Sequence, residues 1–236
     1  MKINFIMIPV IHRVWIGDFP EKNYCSKFIK SVNDCFDGFV PVFWRDDTAE
    51  TFIKDVYPEW YKYLYESNLC PKVVVSDIVR YLLLQKYGGI YTDLDLEVIN
   101  PTLQGMIRNK PFVVFVEVEL NEKVMEATKS IPLRNGIPED VRRIASYFFY
   151  SEPNHPIWKK IIDEMKRRLK QKNTFEEDYD ELYLTGPDLI TTVVNKYEKS
   201  LGLTVLTKKQ SDECIKHHFY GEKTWKSLLK KNPYDL

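Results

Sequence analysis

Asp93 and Asp95 stand one residue apart in Gly88-Gly89-Ile90-Tyr91-Thr92-Asp93-Leu94-Asp95, where a Gly-Gly turn feeds a β-forming Ile-Tyr-Thr run. A strand ending in two carboxylates presents them at the carboxyl edge of a sheet, where open α/β sheets bind ligands. Carboxylate oxygens are hard donors suited to Mn2+ or Mg2+, ions that complete their shells with water and substrate phosphate. Such a cation would neutralise the charge that builds on a departing nucleoside diphosphate. The same spacing recurs at Asp178-Tyr179-Asp180, but inside the charge run Glu-Glu-Asp-Tyr-Asp-Glu, which predicts a solvated acidic loop.

The helix that leads into this strand carries the second piece of chemistry. Pro71 to Tyr87 has proline near its start and Gly88-Gly89 at its end, the usual asymmetry of helix termini. Asp77 and Arg80 lie three apart on one face of it and interrupt an otherwise apolar run. A carboxylate and a guanidinium buried there are costly unless they pair or bind a ligand.

The elements that must position these groups alternate strand and helix. Ile6–Ile16 is a continuous apolar strand of the kind buried on both faces. Lys22–Asp37 has helical spacing, Phe39–Trp44 is a strand, and Thr48–Glu66 is helical with a break near Pro58. Strands follow at Ile90–Asp95, Pro111–Glu119, Tyr147–Tyr150 and Leu203–Leu206, with helices at Pro156–Gln171 and Gly186–Ser200. Residues 121–140 are polar and irregular and read as a mobile loop. Asn154-His155-Pro156 reads as a turn into its helix. The alternation predicts one α/β domain over residues 1–236, a mostly parallel sheet flanked by helices.

The run SDIVRYLLLQKYGGIYTDLD resembles the signature of glycosyltransferase family 32, the DXD sugar transferases. The opening IPVIHRVWIG resembles that family's first strand, and the tail HHFYGEKTW resembles its closing His and Trp motif with a looser spacing. The resemblance implies a GT-A-type, Rossmann-like fold and transfer with retention by front-face displacement. It implies that Trp15 stacks on the nucleotide base and that Val14 offers backbone hydrogen bonds to it. Asp77 and Arg80 would hold the donor, Asp93 would touch ribose and sugar, and Tyr91 would line the pocket. Asp95 would ligate Mn2+ or Mg2+ together with Asp93 and, as a closing ligand, His218, with His217 as the alternative. Lys223 and Trp225 would sit near the β-phosphate, within a flap spanning 217–236 that closes over the donor. Thr185-Gly186-Pro187-Asp188 resembles a segment that places Gly186 and Asp188 on the acceptor side.

Composition narrows the partners. Lys+Arg 34 balance Asp+Glu 34, so the net charge is zero and there is no overall field to attract nucleic acid. Aromatics at 14% fit both a Tyr-rich core and a surface for sugars or bases. Cys25, Cys35, Cys70 and Cys214 form no CxxC pair, which reads as reduced thiols in a cytoplasmic protein. The apolar start is too short to span a bilayer and is broken by Pro9, His12 and Arg13, so membrane association would be peripheral. The expected donor is a nucleotide sugar, UDP-glucose or UDP-galactose ahead of GDP-mannose. The expected acceptor is a hydroxyl-bearing molecule such as a glycan, in polysaccharide or glycan biosynthesis. Two other classes remain open on the residues alone: an Asp-dependent phosphohydrolase and a non-catalytic nucleotide-sugar-binding module.

Overall fold

The structure is a computed structural model that describes residues 9–18, 25–67, 70–119, 142–172, 174–175 and 178–218. The 121–140 loop and nearly all of the 217–236 flap, with Lys223 and Trp225, lie outside the described residues. So do the first residues of the opening strand and of the first helix.

Among the described residues a seven-stranded sheet forms the centre. β1 (Val10–Val14) lies between β2 (Val40–Trp44) and β3 (Gly89–Thr92), parallel to both. β7 (Phe148–Ser151) runs antiparallel between β3 and β5 (Phe112–Glu119). β6 (Arg142–Ile144) pairs antiparallel farther along β5, and β8 (Thr204–Leu206) pairs parallel with it. Five strands therefore share one direction and two oppose it, a mixed sheet with a parallel majority. A second, two-stranded sheet joins β4 (Leu96–Val98) to β9 (Ile215–His217) in antiparallel register, Leu96 opposite His217.

Side-chain alternation along the strands feeds two cores, one on each face. In β5, Phe112, Val114 and Val116 enter one core while Val113 and Phe115 enter the other. In β3 and β7, Tyr91 and Phe149 go to the first and Ile90 and Phe148 to the second. The first core is closed by α2 (Asp46–Val56), α3 (Pro58–Tyr61), α4 (Lys72–Tyr87), α6 (Pro156–Gln171) and α8 (Pro187–Leu201). The second is closed by α1 (Ser26–Cys35), α5 (Leu103–Ile107) and α9 (Lys208–Cys214). No helix of the described residues is long and apolar enough to cross a membrane.

α4 is the central helix. Ten of its residues from Val74 to Leu84 are buried, so it is enclosed on nearly all sides, and Asp77 and Arg80 go inside with the rest. It ends where Gly88 N–H bonds Leu84 O at 2.9 Å. The glycine pair then makes the strand entry possible: φ is +62° and +91°, and a Cβ on Gly89 would sit 2.3 Å from the Val10 carbonyl oxygen. A side chain there would pry β3 off β1.

The helical segment expected over Thr48–Glu66 with a break near Pro58 is present: α2 ends at Val56, and α3 and a π-helical turn over Lys62–Glu66 follow. Two expectations need correction. Strand β5 has an unforeseen partner in β6, whose Arg142-Arg143-Ile144 has little strand signature but buries Arg143 against Glu117 at 2.8 Å. The acidic run at 178–180 is not a solvated loop. Asp180 lies in helix α7 (Asp178–Leu184), is fully buried, and pairs with Lys172 at 2.8 Å. A charge run conceals a buried member when one carboxylate of the helix turns inward to a lysine.

His12 in β1 supplies a test of this packing. Trp44 Nε1–H donates to His12 Nδ1 at 3.1 Å, so the ring proton sits on Nε2, which donates to Gly88 O at 3.0 Å. Burial lowers the imidazole to about 4, partly opposed by the Gly88 bond. The unfolded chain takes up this proton near pH 6.5, whereas the folded chain resists it until about pH 4. Stability is therefore expected to fall as pH drops through that window, by about 2–3 kcal/mol at pH 4.5. Urea unfolding of wild type and His12→Gln at pH 7 and 4.5 checks it: the variant loses less stability on acidification.

Candidate functional site

The site grows from the carboxyl end of β3. Thr92 closes the strand, the Asp93 amide donates to Tyr147 O at 3.0 Å, and the chain turns at Leu94 into β4. Asp93 is half-buried and Asp95 is buried. β9 returns alongside β4 and delivers His217, whose Nε2 lies 3.1 Å from Asp95 Oδ1 and 3.7 Å from Asp93 Oδ2. The ligand atoms of Asp93, Asp95 and His217 all lie within 4.8 Å of one another. Two hard carboxylate oxygens and one imidazole nitrogen at that spacing can converge on a single divalent cation, so the residues fit a metal. Burial works against a charged His217 ring, but Asp95, Asp93 and Glu117 outweigh it and raise the imidazole above its usual range.

Behind the carboxylates sits the α4 pair. Arg80 meets Asp77 at 2.8 Å, and both side chains are under a tenth exposed. The guanidinium also donates to Ser146 O at 2.6 Å and lies over the Tyr91 ring at 4.7 Å, and its Nη1 is 3.7 Å from Asp93 Oδ1. Tyr91 O–H donates to the same Asp93 oxygen at 2.6 Å. Thr185 O–H donates to Asp77 Oδ2 at 2.8 Å, and Tyr81 O–H donates to Thr185 O at 2.6 Å. Burial pushes the Asp77 carboxyl up to about 6, against the opposing pull of Arg80 and Thr185. Burial likewise opposes the Arg80 charge, but Tyr91, Asp77 and Asp93 prevail and hold it firmly protonated.

Residues 22–113, which contain Asp77, Arg80, Asp93 and Asp95, match a family model described as a glycosyltransferase sugar-binding region containing DXD motif. Over that region, which holds the helix and the strand of the site, the chain is similar to the DXD glycosyltransferases. Mannosyl phosphorylinositol ceramide synthase CSH1 of Saccharomyces cerevisiae is 29% identical over 82% of this chain and 44% of its own length. Inositol phosphoceramide mannosyltransferase 3 of Schizosaccharomyces pombe is 28% identical over 81% of this chain and 51% of its own. Initiation-specific alpha-1,6-mannosyltransferase of Candida albicans is 23% identical over 93% and 57% respectively. The chain spans about half the length of the curated relatives it matches. Among solved structures, PaToxG glycosyltransferase superposes with a TM-score of 0.51 at 17% identity, over 81% of this chain and 68% of that one. At such identity the likeness concerns the fold, which is the GT-A-type α/β arrangement.

The sequence-predicted residues fall into three groups. Asp77, Arg80, Tyr91, Asp93 and Asp95 form one connected cluster. Val14 and Trp15 end β1 beside it: Trp15 N–H donates to Trp44 O at 2.9 Å, its indole N–H donates to Asp18 O at 2.9 Å, and its ring packs beside Phe28 and Leu94. Gly186 caps α8 and Asp188 is buried in its first turn, linked to the cluster through Thr185, which binds Asp77. His155 caps α6 through Nδ1, as a turn residue should.

His218 is not in the cluster. Its Nε2 lies 2.8 Å from Glu97 Oε2 and its ring stacks on Phe28 at 4.1 Å, while His217 takes the expected place. Adjacent strand residues point to opposite sides, so only one of the two histidines can face the carboxylates. The choice is fixed by the register of β9 on β4, which local sequence does not reveal. The roles of Ser146 and Tyr147 were not anticipated, and Thr185, which opens the segment quoted for Gly186 and Asp188, was given none of its own; the three act through backbone oxygens, a ring face and one hydroxyl.

The buried pair makes a prediction. Arg80→Met leaves the Asp77 carboxylate enclosed without its cation, so it is expected to cost about 3–5 kcal/mol. Adding Asp77→Asn in the same chain should recover a large part of that loss. Chemical denaturation of the single and double variants measures both.

Proposed function

We propose that this chain is a metal-dependent glycosyltransferase that moves a hexosyl group from a nucleotide-sugar donor to a hydroxyl of its acceptor. The observation that supports this most directly is the convergence of Asp93, Asp95 and His217 at the carboxyl edge of the sheet, with both aspartates inside the region matched by the DXD glycosyltransferase family. A mixed oxygen and nitrogen ligand set favours Mn2+, with Mg2+ as the alternative. The bound cation supplies neutralising charge to the diphosphate as it departs.

The chain's own residues do the rest. Asp93 is oriented by Tyr91 and Arg80, which leaves one oxygen toward each side of the cluster. Arg80 adds fixed positive charge directly behind the carboxylates, and because it is already held by Asp77 and Ser146 it costs no reorganisation when charge develops. Trp15, half-buried at the end of β1, offers a ring for the nucleotide base. In the front-face displacement with retention that the family resemblance implies, holding donor and acceptor together supplies much of the rate.

For the donor, the names of the relatives outweigh the sequence preference for UDP-glucose or UDP-galactose. The three relatives described above are a mannosyl transfer synthase and two mannosyltransferases by name, so GDP-mannose becomes the first choice. Two of them are named for inositol phosphoceramide, which makes a hydroxyl-bearing glycolipid an acceptor to test beside free glycans. An apolar acceptor of that kind fits peripheral contact with a membrane surface better than a purely cytoplasmic pool.

Asp95→Asn is expected to abolish Mn2+-dependent turnover with little loss of stability, since an amide keeps the shape but ligates a hard cation poorly. Turnover is read as nucleoside diphosphate released from GDP-mannose and from UDP-glucose. Release of inorganic phosphate instead would identify a phosphohydrolase, and no release with intact donor binding a carrier module. Near-normal turnover by the variant would sink the metal assignment.

Trp15→Ala is expected to weaken nucleotide binding by about 10- to 100-fold, the scale of one aromatic stacking contact. Trp44→Ala is the control. Its indole is bonded to His12 and packs on Phe52 and Tyr87, so it should lower stability instead. Calorimetric titration of both variants with GDP and UDP separates the two roles.

A further inference from the structure

The short link between β6 and β7 touches three separate members of the site. Ala145 N–H anchors it to β5 through Phe115 O at 2.9 Å. Ser146 O then accepts from Arg80 at 2.6 Å, and Tyr147 O accepts from the Asp93 amide at 3.0 Å. The Tyr147 ring lies on the His217 imidazole, centroids 4.2 Å apart and planes 16° from parallel. The ring is itself enclosed: it is buried in the second core, and its hydroxyl is near Ser211 of α9, the helix that runs into β9.

We propose that Tyr147 is the positioning residue of the Asp93–Asp95–His217 cluster, setting the plane of the His217 ring through its own ring and the start of the DXD turn through its carbonyl oxygen. The inference rests on the metal-binding reading of the cluster but concerns a residue outside it. An imidazole turns about two side-chain bonds among staggered wells, and a flat, immobile ring on its face limits how its plane can rotate. Asp95 meets the Nε2 atom at 3.1 Å, a point contact about which a ring can still swing. The parallel phenol ring removes that freedom, and because the same residue holds Asp93 through its backbone, the ligands from β3 and β9 are referred to one rigid point. Groups that orient metal ligands in this way commonly change affinity about 10-fold or more when removed. Plain core packing would instead affect stability without regard to His217.

The test uses the full 236-residue chain. Mn2+ affinity is measured by electron paramagnetic resonance for wild type, Tyr147→Phe and Tyr147→Leu, each also in a His217→Gln background. Phe keeps the ring and is expected to bind within about twofold of wild type; Leu is expected to bind about 10-fold more weakly. In the His217→Gln background the Leu change should cost nothing further. Tyr147→Met replaces Leu if that variant does not fold, because its flexible side chain fills irregular gaps. The second readout needs no metal. With four histidines in the chain, the His217 ring protons can be assigned by NMR, and they should be shifted upfield in wild type and Phe but not in Leu. Equal Leu losses with and without His217, or unchanged ring-proton shifts across the three proteins, would overturn the proposal. Failure of wild type to bind Mn2+ would remove the metal reading instead, and the ring-proton shifts alone would then decide the role of Tyr147.

Discussion

A charged pair enclosed in α4 is the constraint on which the rest of the site depends. Removing Asp77 and Arg80 from water is expensive, and their mutual attraction repays this only when the remaining donors and acceptors are also satisfied. The protein meets that condition with groups drawn from distant parts of the chain: Thr185 on Asp77, Ser146 O and the Tyr91 ring on Arg80, and Asp93 beyond them. Satisfying the pair therefore fixes the spatial relation of α4, β3, the β6–β7 link and the start of α8. Asp93 inherits its orientation from that arrangement.

The glycine pair after α4 has a matching role in the backbone. Only residues without a Cβ permit β3 to begin so close to β1 and to Pro153, whose backbone nitrogen would lie 2.4 Å from a Cβ on Gly88. The helix carrying the buried pair and the strand carrying the carboxylates are thus joined by the shortest connection that sterics permit. That brings a cation on α4 and an anion at the end of β3 onto the same side of the sheet. Local sequence, helix packing and electrostatics agree here.

What could be read from the sequence follows the same division. The DXD strand, its preceding helix and the Asp77–Arg80 spacing were legible because each is carried by neighbouring residues. The alternation of strands and helices was legible for the same reason. His217 was not separable from His218, because the answer lies in how β9 pairs with β4 more than a hundred residues earlier. Asp180 was misread because a carboxylate buried against Lys172 looks, in sequence, like any other member of an acidic run. The role of Tyr147 gave no signal, since a backbone carbonyl and a ring face are available to every tyrosine. Contacts that depend on residue type and spacing can be found in a sequence; contacts that depend on register and on the main chain cannot.

The small β4–β9 sheet has a consequence for the order in which the protein is made. His217 and Asp95 are 122 residues apart, and β9 follows the last strand of the large sheet, β8, by a single helix. During synthesis every strand of the large sheet leaves the ribosome before the histidine does. The first core can therefore begin to close before β9 docks, whereas the second, which includes Cys214 and Ile215, closes only with it, and the loop that brings His217 home is among the longest in the chain. Closing such a loop is entropically slow but adds little to the cost once its ends are already held on a folded body. The nascent chain accordingly acquires its cation site together with the last segment of its second core, so that a product terminated before β9 would lack both.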